Sequence, residues 1–342
     1  MSDTAQLVDA MDSRVRRREE RREFFRTALG MGVAAAGGIA ALGLPAALSA
    51  QTAPTDNDIL NLALNLEYLE AQFYSFAANG TGLPESLLTG TVGTRGNVTG
   101  GRKALLSDVS VIQYAREIAS DEVAHVAALR SALGGAAIAQ PQIDISVAVF
   151  TAAAVTAGVD LSASGGVFDP YANDDNFLIG AYIFEDVGVT AYKGASPLIS
   201  NVDIVDAAAG ILAAEAFHAG IIRGALYRRG VAVPALRTIA DRISDGRDTL
   251  DGTATSAGPP QRVADDDQGI SPVQLALTTA GGTTTATGSN FVPTDANGIV
   301  FSRTSEQVHN IVYNTRNQVT AGGFFPAGTN NANAALRRSG AN

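Results

Sequence analysis

The chain has 342 residues, enough for one large domain or two ordinary ones, and its 46% hydrophobic and 17% charged content marks a globular rather than a disordered protein. A net charge of −10 argues against nucleic acid as a partner, because phosphate contacts need clustered Lys and Arg. There is no Cys, which excludes disulfides, zinc–thiolate sites, iron–sulfur clusters and thiol catalysis; any metal must be held by oxygen and imidazole, a donor set that suits iron, manganese or zinc.

Residues 14–26 read RVRRREERREFFR, an Ala/Gly-rich apolar run follows from Ala28 to about Ala47, and the small-residue stretch AALSAQTA comes next. A charged region, an apolar region and a small-residue cleavage site make a secretory signal. Arg21-Arg22 followed by Glu23-Phe24-Phe25-Arg26 resembles the twin-arginine export signal. The signal is expected over 1–50, with cleavage between Ser49 and Ala53; an uncleaved membrane anchor is the alternative. The resemblance implies the twin-arginine export machinery as a partner and a periplasmic, extracellular or cell-envelope location. That route carries folded proteins, so a cofactor would be loaded before export.

Apolar residues at helical spacing predict a first helix over 58–78, started by Asp56 or Asn57 and stopped near Asn79-Gly80. Residues 80–101, rich in Gly and Thr with Pro84, read as a long loop. A second helix is expected from Arg102 to Leu133. The connection 136–173 carries a short helix at Val147–Ala157. A third helix covers Asp174–Lys193, and a fourth runs from Asn201 or Asp203 to Arg229, closed by Gly230. Four long helices with one long crossover, between the second and third, predict an all-α fold: a four-helix bundle of the ferritin-like kind, over 55–248. A further helix is expected at Ala235–Asp245. Residues 249–342 read as a loop-rich, Gly/Thr/Asn-rich extension packing on the bundle, with Asp265–Asp267 and Gly281–Gly288 as loop and one amphipathic helix at 302–316.

Beyond residue 50 there are only eight Glu and three His. Glu122 and His125 lie in the second helix, Glu215 and His218 in the fourth. A spacing of three puts each pair on one helix face, within reach of one metal ion. The first and third helices each carry a Glu among apolar residues, Glu67 and Glu185, with Tyr74 and Tyr192 seven residues later on the same face. Helix pairs 1–2 and 3–4 thus repeat one scheme. Facing each other, they supply four carboxylates and two imidazoles, the ligand set of a carboxylate-bridged dinuclear site. Four carboxylates carry about −4 and two divalent ions carry +4, so metal would neutralise a cluster too costly to bury bare.

Other residues carry blander readings. Glu306 and His309 have the same spacing but no lone-Glu helix to pair with, and read as a surface pair, with metal binding as the alternative. Glu70, one turn from Glu67, is a partly exposed helix carboxylate, an alternative ligand or a group beside the ligands. Glu117 lies about 140° round the helix from Glu122 and faces solvent. Asp121 and Asp186 read as exposed, with imidazole orientation as the alternative. Tyr74 and Tyr192 would hydrogen-bond the metal carboxylates, donate electrons or fill the core.

The segments LNLALNLEYLEAQFY, REIASDEVAHVAALRSALG and FLIGAYIFEDVGVTAYKGA, with FSRTSEQVHNIVYN and GGFFPAGTN nearer the C-terminus, resemble the ferritin-like domain of bacterial exported proteins and plant desiccation-related proteins. The resemblance covers about 55–330 and implies a ferritin-like bundle with a metal site. The leading expectation is two divalent ions, iron or manganese ahead of zinc, acting on a small oxidant, O2 or peroxide, in ferroxidase- or catalase-like stress protection. Glu122 and Glu215 would bridge, Glu67 and Glu185 would be terminal ligands, and His125 and His218 would bind one metal each. The alternative is a non-catalytic stress or structural protein with a structural or vestigial metal site. A homo-oligomer is compatible with either.

Overall fold

The computed structural model describes residues 53–252 and 267–342. The signal expected over 1–50 and the residues Asp265 and Asp266 of the expected acidic loop lie outside them. Among the described residues there are seven α-helices: α1 Asp56–Asn79, α2 Val109–Leu133, α3 Val147–Thr156, α4 Asp174–Ala195, α5 Val202–Ala232, α6 Ala235–Asp251 and α7 Ser305–Val312. Helix α1 packs on α2 and α4 on α5, and contacts of α1 with α4 and of α2 with α5 close the expected four-helix bundle. The long crossover runs from α2 to α4 and carries α3.

The helix starts follow local chemistry. Thr55 and Asp58 form a capping box at α1, and Asp108, Ser146, Asn173 and Asn201 each accept a backbone N–H at the starts of α2, α3, α4 and α5. Gly80 ends α1 in the left-handed region at φ 81°. Helix α2 begins seven residues later than expected. Its would-be first turn is pulled straight by distant partners: Ala104 N–H donates to Ala77 O, Leu105 N–H to Tyr171 O, and Ser107 and Asp108 N–H to the Asp174 carboxylate. Helix α5 passes Gly230, whose missing side chain leaves room for Arg237, and stops before Pro234. Helix α6 likewise runs through Gly246, where a Cβ would overlap Ala157 of the crossover. Both glycines serve close packing rather than termination.

The C-terminal residues are less irregular than their composition suggests. Strands β3 Val273–Thr279 and β4 Gly282–Gly288 pair antiparallel in an exposed hairpin, where loop was expected. Val273, Leu275 and Leu277 alternate along β3 at the period of a strand, and the Thr-rich β4 adds β propensity. Two short strands, β1 Val98–Thr99 and β2 Ile143–Asp144, pair in parallel and tie the 80–108 loop to the crossover. Helix α7 is shorter than the 302–316 segment because a Thr304–Gln307 capping box starts it. The chain then returns to the bundle: Asn330 and Asn65 of α1 exchange two hydrogen bonds of 2.8 Å, and the Phe324 ring sits 4.9 Å from Phe184 and 5.2 Å from Phe150. Burying a Phe of this kind stabilises by about 2 kcal/mol.

This cover is one-sided. In α1, 18 of 24 residues are buried and in α4, 17 of 22, whereas in α5 only 10 of 31 are, so α1 and α4 lie inside and α5 keeps an open outer face.

Candidate metal centre

The six residues of the doubled scheme meet in the middle of the bundle. Glu67 comes from α1, Glu122 and His125 from α2, Glu185 from α4, and Glu215 and His218 from α5; all are buried. His125 Nδ1 lies 3.2 Å from Glu67 Oε2, 3.7 Å from Glu122 Oε2 and 3.6 Å from Glu215 Oε1. His218 Nδ1 lies 3.1 Å from Glu122 Oε1 and 3.8 Å from Glu185 Oε2. Glu122 therefore stands between the two imidazoles. Donor atoms of Glu67, Glu122, His125 and Glu215 lie within 4.8 Å of one another, as do those of Glu185, Glu215 and His218. Glu215 belongs to both groups.

The inward atoms approach one another without forming a hydrogen bond. Glu67 Oε2, both oxygens of Glu122 and of Glu215, Glu185 Oε2, and Nδ1 of His125 and of His218 are all buried without a hydrogen-bond partner. A buried acceptor left in this way costs about 1–3 kcal/mol, more when charged. Eight such atoms round one point fit cations, and oxygen with imidazole nitrogen is the donor chemistry of iron, manganese or zinc.

The outward atoms are held. Tyr192 OH donates to Glu67 Oε1 and Tyr74 OH to Glu185 Oε1, so each tyrosine serves the glutamate of the opposite helix pair, not its own. His218 Nε2 lies 3.1 Å from Asp121 Oδ2. With the proton on Nε2 facing that carboxylate, the Nδ1 lone pair points into the cluster. Asp121 is both half-exposed and orienting. Asp186, expected at the surface, is buried, with Arg223 at 2.7 Å and Arg247 at 2.9 Å.

Crowding the carboxylates together in the bundle shifts their protonation. Burial, reinforced by the neighbouring glutamates, pushes Glu122 and Glu215 well above the usual carboxylate range. Burial also pushes Glu185 up, to about 8, although the Tyr74 hydrogen bond opposes it. Burial pulls His125 down, but the Glu67 carboxylate outweighs it and the net shift is upward. Burial keeps His218 below its ordinary value despite Asp121.

Two weaker candidates also resolve. Glu70 is buried rather than partly exposed, and burial followed by the charges of Glu185 and Glu67 raises it well above the carboxylate range. The space it shares with Glu215 exists because α4 has Gly188 there: a Cβ would overlap Glu215 Oε2 and come within 3.4 Å of Glu70 Oε1. Glu306 and His309 are not a surface pair. Glu306 bonds Arg338, whereas His309 is fully buried, with Nδ1 2.6 Å from Ser305 O and Nε2 2.9 Å from Thr329 Oγ1. A carbonyl only accepts, so Nδ1 carries the proton, and burial lowers this histidine to about 4. Glu117 is exposed, as expected.

The model of the ferritin-like domain matches residues 55–228. The chain belongs to the ferritin-like domain family. It is 32% identical over 260 residues to the desiccation-related protein PCC13-62 of Craterostigma plantagineum, covering 74% of this chain and 76% of the relative. It is 29% identical over 285 residues to the ferritin-like catalase Nec2 of Nesocodon mauritianus, covering 80% and 83%. No solved structure matched the chain. Within this ferritin-like bundle the buried Glu/His cluster fits a dinuclear metal centre.

Proposed function

We propose that this chain holds a pair of iron or manganese ions and uses them in redox chemistry on O2 or peroxide, as an exported protein of stress protection. The observation that carries the reading is the convergence of eight unbonded buried donor atoms from four helices. Glu122 and Glu215 would bridge the ions, Glu67 and His125 would complete one site, and Glu185 and His218 the other. When bound, two such ions supply the electron transfer that reduction of O2 or peroxide needs. The protein's own part is to position and to exclude. Tyr74 and Tyr192 fix the outer oxygens of the terminal glutamates, and Asp121 fixes His218. Among the six ligands the side chain most open to solvent is His125, at 11%, so the cluster suits a small oxidant rather than a bulky substrate.

The catalase among the relatives favours peroxide. Disproportionation of two peroxides to water and O2 balances without an external reductant, which suits an exported protein. The Arg21-Arg22 pattern supports twin-arginine export and an envelope or extracellular site of action. Elemental analysis of the purified full chain should find about two metal ions per chain, lost in Glu122→Gln and Glu215→Gln. Peroxide-disproportionation and ferroxidase assays then identify the reaction. A chain that is isolated without metal, and whose melting temperature ignores added iron and manganese, would sink the reading. The desiccation-related relative supports a second one, a structural metal in a non-catalytic stress protein; stabilisation by metal with no turnover would establish it.

A further inference from the structure

Helix α5 does two jobs with two faces. One carries Glu215, His218 and Arg223 into the bundle. The other is open and unusually apolar: the helix is long and hydrophobic enough to cross a membrane, yet only 28% of its most hydrophobic stretch is buried. Phe217 is 73% exposed at its centre, and Val202 and Val231 are exposed at its ends.

The pattern along this face is symmetric about Phe217. Gly210 lies seven residues before it and Gly224 seven after; Asp206 lies eleven before and Arg228 eleven after. At 100° per residue, seven and eleven residues both return to within about 20° of the starting direction, so all five residues share one line along the helix. A Cβ at Gly210, Gly220 or Gly224 would meet nothing. Glycine weakens a helix relative to alanine, and here the chain's own packing offers no reason for it. Asp206 and Arg228 are exposed, and among the described residues neither forms an ion pair.

We propose that α5 is the contact surface of a homodimer, in which two copies lay α5 against α5, antiparallel about a twofold axis at Phe217. In that arrangement Gly210 faces Gly224 of the second copy and lets the backbones approach closely. Asp206 meets Arg228 of the second copy, twice by symmetry. An interface between identical patches must be self-complementary, and opposite charges at equal distances from the centre satisfy that condition. A bilayer would have no use for such charge order.

Sedimentation equilibrium of the full chain tests this. The wild type should be dimeric at about 10 μM, and Phe217→Glu monomeric with unchanged helix content. Asp206→Arg alone and Arg228→Asp alone should each raise the dimer Kd about 10-fold or more, by setting like charges together, whereas the double reversal should return it to within about 3-fold of the wild type. A monomeric wild type overturns the proposal. So does a dimer whose Kd ignores all four variants, or binding to anionic liposomes that Phe217→Glu abolishes, which would make this a lipid face.

Discussion

Gly188 stands one turn after Glu185, where the repeat would place a counterpart of Glu70. A Cβ there would overlap Glu215 Oε2, so the missing side chain is what lets Glu215 reach the cluster. Gly188→Ala should therefore reduce bound metal from about two ions per chain to one or fewer, read by elemental analysis, while circular dichroism shows the bundle intact. Tyr74→Phe frees Glu185 Oε1 and should weaken metal binding roughly 10-fold in a chelator competition. The convergence of the six cluster residues was legible because helical spacing fixes which residues share a face. The crossing of the tyrosines was not, since an offset of seven gives a face but not the helix opposite. Nor was the burial of Glu70, beside a small cavity that Ile311, Val312 and Phe324, more than two hundred residues away, help to line.

Beside the cluster, on the far side of α4, a second set of charges joins the elements. Arg223 of α5 and Arg247 of α6 both bond Asp186 of α4; Arg247 also bonds Asp267, which Arg303 bonds in turn together with Asp251 at the end of α6. Arg303 N–H donates to Thr190 O, and Gly194 gives its backbone room against α4. Removing one partner of a buried ion pair costs about 3–5 kcal/mol because the other is stranded. Arg247→Met should lower stability by roughly 3 kcal/mol in urea unfolding of the metal-free protein while leaving its metal stoichiometry intact. Sequence periodicity located the bundle helices well, since each has a long apolar stripe and a polar cap. It failed where an element's limits depend on remote groups, as with the Asp174 carboxylate that straightens 104–108, or where a glycine such as Gly246 serves packing.

For the molecule as a whole, the buried carboxylates of the cluster make stability depend on pH. Glu185 is raised to about 8, and Glu122 and Glu215 are raised well above their ordinary value, so the metal-free native state holds protons that the unfolded chain releases near pH 4.5. Stability falls with pH wherever the native state binds more protons. The metal-free protein should thus be most stable below about pH 4.5 as far as these groups are concerned, and its melting temperature should drop as pH rises through about 8. With metal bound, cations replace the protons and that drop should vanish, which calorimetry at pH 6 and pH 9 would show. The crossed tyrosine bonds carry this further. Each helical hairpin carries half the cluster residues and a tyrosine that holds one glutamate of the other half, so neither can assemble the complete cluster alone. On the metal-binding reading proposed above, a loaded chain is by construction one whose two hairpins have already docked, so metal occupancy would certify correct folding.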